Sequence, residues 1–96
     1  MAADIAEAFR AKYKNAHIAT PVALIRSDEP TSMTATFEGK VTHLIGKDFH
    51  GTFVLGKFLR DDGTWGGGTY DLPTFKMALE RALALRSGNE IEIILL

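Results

Sequence analysis

The sequence predicts an α+β domain: an antiparallel or mixed sheet of about five strands packed against two helices, in the order α-β-β-β-β-α-β. Three observations predict it. Apolar residues recur at three- and four-residue spacing in two stretches, one near each end of the chain. Elsewhere they alternate with polar residues or run as short β-rich segments. The breaks between the alternating segments are short, which suits an antiparallel meander. The chain has 96 residues, and dividing it would leave pieces too small to hold a core, so 1–96 reads as a single domain.

The first helix is expected over residues 4–16, where Ile5, Ala8, Phe9, Lys12, Tyr13 and Ala16 form a stripe. Asp4 and Glu7 stand at the spacing of a capping box. Pro21 stops helical continuation, and 22–26 reads as a short strand. The polar cluster at 27–31 is a turn by composition. Met33, Ala35 and Phe37 then alternate with Thr34, Thr36 and Glu38, as on a half-buried strand. Gly39-Lys40 breaks that run, and 41–45 forms another strand. Gly46-Lys47-Asp48 suits a tight turn or a bulge within a longer strand. The next strand spans 52–59, with Phe53, Leu55 and Leu59 on one face and Val54 and Phe58 on the other.

A glycine-rich loop follows, from Arg60, Asp61 and Asp62 through Trp65 and Gly66-Gly67-Gly68 to Tyr70 and Asp71. Asp71 stands where a helix N-cap belongs, and Pro73 falls in the first turn, where its missing N–H is harmless. Leu72, Phe75, Leu79, Ala82, Leu83 and Arg86 mark the second helix, and Ser87-Gly88-Asn89 supplies a glycine stop. The run 90–96 is β-rich, alternating at first and then apolar on both faces. That pattern fits an interior strand, or an edge strand covered by a partner.

Composition narrows the function. Apolar residues make up 46% and charged residues 24%, the balance of a soluble globular domain rather than a disordered chain. Eleven basic and twelve acidic residues leave a net charge of −1, which provides no overall electrostatic footprint for nucleic acid and no acidic mimic of it. The absence of cysteine excludes disulfides, thiolate catalysis and cysteine-ligated metals. Asp4 and Glu7 near the start do not fit a signal peptide, and no apolar run approaches the ~20 residues that span a bilayer. The expected setting is cytoplasmic.

No catalytic or metal-binding set is expected. His43, Asp48 and His50 lie within eight residues, with Asp61 or Asp62 nearby in a hairpin, but they match no established ligand spacing. They read as a surface histidine on a strand and polar turn residues. Ser27, Ser32 and Ser87 sit in turn-like positions outside any nucleophile elbow. Asp61 and Asp62 point apart on an extended chain and suit a turn before Gly63. The three glycines lack the lysine of a phosphate loop, and Asp71 would repel a phosphate at the following helix.

The leading expectation is therefore a non-enzymatic, cofactor-free protein-interaction module. Its contact residues would be Trp65, Tyr70, Asp61, Asp62 and Arg60, because aromatic side chains with polar handles beside glycines are favoured in contact surfaces. Replacing Trp65 by Ala is expected to weaken binding without unfolding the domain. Small inhibitors of larger complexes, of the kind carried by viruses or mobile elements, are the class such a chain fits. A homodimer through the strand 90–96 is a further expectation. The alternative is a small-ligand or nucleotide-binding domain that uses the loop 61–71. The third reading is single-stranded nucleic-acid binding, from the interleaved Lys57, Phe58 and Arg60 and the run Lys47, Phe49 and His50.

Overall fold

The structure, a computed structural model, describes residues 2–13, 20–27, 36–59, 65–84 and 91–96. The elements are α1 (Ala2–Lys12), β1 (Thr20–Ser27), β2 (Thr36–Phe37), β3 (Lys40–Lys47), β4 (Phe53–Leu59), β5 (Trp65–Leu72), α2 (Phe75–Ala84) and β6 (Ile91–Leu95). This is the expected α+β arrangement, with β5 formed by the segment read from sequence as a loop. The sheet runs β5-β4-β3-β1-β6, and every pairing in it is antiparallel. The short β2 pairs with β3 at Thr36↔Val41 and Phe37↔Lys40, whereas β4 joins β3 from Leu44↔Gly56 onward. The turn at 28–31, Met33 and Ala35, and the stop at 87–89 lie outside the described residues.

Alternation along the strands builds two cores, one on each face of the sheet. On the first face Leu24, Leu44, Val54 and Ile94 meet Ala6 and Phe9 of α1 and Tyr13 just beyond its end, with Phe37 and Trp65 closing the cluster. Its ring contacts include Phe9–Tyr13 at 5.1 Å, Phe9–Trp65 at 5.8 Å and Tyr13–Trp65 at 5.5 Å between centroids, a spacing at which edge-to-face and tilted rings attract. On the second face Ala23, Ile25, Ile45, Leu55 and Leu72 receive Ala78 and Ala82 of α2. Alanines at the contact let this helix approach closely, while Phe75, Leu79 and Leu83 flank it, half-buried. α2 lies over β3, β4 and β5.

The boundaries differ from the sequence reading for local physical reasons. α1 begins at Ala2, so Asp4 stands inside its first turn, where it complements the helix dipole rather than capping it. Thr74, not Asp71, caps α2. Its Oγ1 accepts a hydrogen bond from the Met77 N–H at 3.1 Å, and its carbonyl accepts the first helical bond from Ala78. Asp71 remains in β5. β3 runs through Gly46 and Lys47, and the chain turns only afterwards, at Asp48–Thr52. There Asp48 Oδ1 accepts from the N–H groups of His50 and Thr52, and Gly51 takes φ +85°. Glycine reaches that left-handed conformation at little energetic cost.

Candidate functional site

β6 is the outermost strand on its side of the sheet, and among the described residues it pairs with β1 alone. Residues of an extended strand direct their N–H and C=O groups alternately to the two sides. The Leu96 N–H bonds the Val22 carbonyl at 2.9 Å, so Leu96, Ile94 and Glu92 turn their backbone groups toward β1. Ile91, Ile93 and Leu95 therefore aim theirs away from the sheet. Side chains alternate as well. Ile94 enters the first core at 2% exposure, whereas Ile91, Ile93 and Leu95 on the second face are 39%, 45% and 68% exposed. β6 lies beyond the strands that α2 covers. Three consecutive outward residues thus combine backbone groups aimed at solvent with an uncovered branched side chain.

The charge on this strand is held in place. Glu92 stands opposite Arg26 on the β1 ladder, its Oε1 2.9 Å from Nη1 and 3.9 Å from Lys40 Nζ. The Arg26 Nη2 also donates to the carbonyls of Phe37 at 3.0 Å and Glu38 at 3.2 Å. This network ties β6 to β1 and to the hairpin between β2 and β3. It leaves an apolar rim with its acidic group already neutralised.

A second exposed feature is the tip of the β3–β4 hairpin. Phe49 is 94% exposed there, between Asp48 and His50. The turn beneath it is well anchored, because the Thr52 hydroxyl donates to Asp48 Oδ2 at 2.6 Å in addition to the two backbone bonds to Oδ1. Those bonds, led by the Thr52 hydroxyl, and the charge of His50 hold the Asp48 carboxyl below its usual range, against an opposing effect of burial.

The residues expected to form the contact surface are placed differently. Trp65 is fully buried beneath α1, so it belongs to the core and presents nothing to a partner. Its ring is large enough to fill the space between Phe9 and Tyr13, and burying it there outweighs any gain from leaving it exposed. Tyr70 contributes backbone to β5, and its side chain lies outside what is described. Arg60, Asp61 and Asp62 also lie outside the described residues. Gly66 and Gly68 pair with Phe58 and Gly56 of β4. They stand in a strand rather than at a helix N-terminus, which removes the geometric ground for phosphate binding at these glycines.

His43 does not converge with Asp48 and His50. His43 is buried within β3, while Asp48 and His50 occupy the turn beyond its far end, about 15 Å along the strand. Among the described residues no group of three histidine or carboxylate side chains is arranged to hold a metal, and no helix is long and apolar enough to cross a membrane.

Comparison with protein-family models, curated proteins and solved structures finds no match for this chain. The geometry of the molecule itself therefore carries the functional argument. The open edge was partly legible beforehand in the run 90–96, whose apolar character on both faces fitted a covered edge strand. Phe49 stands out in the sequence only by its neighbours Lys47 and His50, because a sequence does not distinguish an aromatic at a turn from one in a core.

Proposed function

We propose that this chain is a non-enzymatic protein-interaction module that engages its partner along the outer edge of β6. The observation that carries the reading is the coincidence, at Ile91, Ile93 and Leu95, of outward backbone groups and exposed apolar side chains. An extended partner segment laid beside β6 gains main-chain hydrogen bonds, and its own side chains meet those three residues.

The test uses paired baits, the wild-type chain and Ile93→Lys, with circular dichroism and urea unfolding to verify that both fold alike. A partner should be retained by the wild type and lost by Ile93→Lys. Equal retention by both chains would remove β6 as the contact surface.

A second reading is favoured by one specific feature, the exposed Phe49 with Lys47 and His50 close by in the chain. A base of single-stranded nucleic acid would stack on that ring, with the lysine near the backbone phosphates. Retention on a nucleic-acid column should then fall steeply with salt and be lost in Phe49→Ala. No retention at low salt would dismiss it.

A further inference from the structure

We infer that the partner of β6 is a second copy of this chain, paired antiparallel about a twofold axis that passes between Ile93 and Ile93 of the second copy. This rests on the reading of β6 as a contact edge and specifies its occupant. The argument is one of register. β6 reads Ile-Glu-Ile-Ile-Leu, and antiparallel pairing centred on Ile93 sets Ile91 opposite Leu95 of the second copy, Ile93 opposite Ile93, and Leu95 opposite Ile91. Each of these residues has its N–H and C=O directed outward, so each opposed pair exchanges two backbone hydrogen bonds. The same register places all three exposed apolar side chains of one copy beside those of the other, on the same face of the joined sheet. A shift by one residue would oppose outward backbone groups to groups already bonded to β1.

Charge agrees with this arrangement. Glu92, the one charged residue of β6, stands on the opposite face, falls opposite Ile94 of the second copy and is already paired with Arg26 and Lys40 of its own chain. Over Ile91–Leu95 the two copies therefore bring no unpaired like charges together, and an isologous contact of this kind closes on itself. The sheet would run continuously from β5 through β6 of one copy and back to β5 of the other. Because each side contributes one short strand, the contact lies at the small end of interface sizes. Dimerisation is accordingly concentration-dependent.

The experiment is sedimentation equilibrium over a concentration series, combined with cysteine cross-linking in a chain that has no cysteine of its own. The wild type should pass from monomer to dimer as concentration rises. Ile93→Lys and Ile93→Glu should each remain monomeric, and mixing the two variants should restore a dimer by opposing their charges. Under mild oxidation Ile93→Cys should form a covalent dimer with itself, because hydrogen-bonded pairs stand at a Cα separation that a disulfide accepts. Ile91→Cys should cross-link with Leu95→Cys and not with itself.

A wild type that stays monomeric throughout overturns the proposal. If Ile93→Lys nevertheless loses a heterologous partner, the edge reading stands and the second copy alone is refuted. A dimer that survives in Ile93→Lys, or a cross-linking pattern of another register, refutes this pairing. A dimer equal in both chains also counts against β6 as the contact edge.

Discussion

Arg26 and Glu92 face each other across the β1–β6 ladder, Nη1 to Oε1 at 2.9 Å, and the same guanidinium holds the Phe37 and Glu38 carbonyls. Arg26 is 4% exposed and the Glu92 side chain 38%, so the two ends of the pair differ in what their loss does. Arg26→Ala removes a donor from the Phe37 and Glu38 carbonyls and leaves Glu92 with Lys40 alone, at 3.9 Å, and should destabilise by about 1–3 kcal/mol. Glu92→Gln keeps a hydrogen-bond acceptor in place and leaves the carbonyl bonds intact, so its effect should be smaller. Urea unfolding midpoints check the ranking, and hydrogen exchange should show β6 amides opening more readily in Arg26→Ala.

Trp65 supplies the second prediction. Trp65→Ala removes the ring that packs between Phe9 and Tyr13, and should destabilise by about 3–5 kcal/mol. That is a large part of the 5–15 kcal/mol typical of a domain, so the thermal transition should fall sharply or vanish. As the chain's one tryptophan, it also reports its own burial. Native fluorescence should be blue-shifted and poorly quenched by iodide. A red-shifted, readily quenched native spectrum would contradict the buried position.

The β2–β3 hairpin turns through Glu38 at φ +50° and Gly39 at φ +82°. Left-handed conformations in both central positions match the twist of the flanking strands, and Asn-Gly is the favoured pair there. Glu38→Asn should therefore stabilise by about 0.5–1 kcal/mol, since asparagine tolerates this region better than glutamate. Gly39→Ala should destabilise by about 1–2 kcal/mol through backbone strain alone, because beyond its immediate chain neighbours no atom lies within 4 Å of the added methyl group. Chemical denaturation of the two variants should show shifts of opposite sign.

The fourth prediction concerns acid. The Asp48 carboxyl is held below its ordinary value of 3.8 in the folded chain, chiefly by the Thr52 hydroxyl. Its ionised form favours folding above that value, and the contribution is lost as pH falls through and below it. Stability measured by urea unfolding should fall more steeply below pH 3.8 in the wild type than in Asp48→Asn. Parallel acid limbs in the two chains would contradict this.

Much of the fold was legible in the residues. The stripe of Ile5, Ala8, Phe9 and Tyr13 and that of Phe75, Leu79, Ala82 and Leu83 located both helices, because a period of 3.6 leaves few alternatives. Period-two alternation around Phe37, Val54 and Leu55 located strands. Gly66-Gly67-Gly68 was not legible as strand, since glycine lacks a side chain to reveal a period and has low β propensity. Pairing with β4 overrides that propensity. The cap of α2 was misplaced by three residues for the same reason: extending β5 to Leu72 moves the helix start to Phe75 and the cap to Thr74.

Residue types and their spacing alone establish an α+β chain with two amphipathic helices, no thiol chemistry, and a β-rich final run whose apolar residues needed covering. Those properties follow from composition and local periodicity, which require no partner to be read. The burial of Trp65, the edge position of β6 with Ile91, Ile93 and Leu95 outward, and the pairing of Arg26 with Glu92 emerge only in three dimensions. Each depends on which strands become neighbours. Strand order is set by long-range packing and hydrogen bonding, and neither is written in the spacing of residues along the chain.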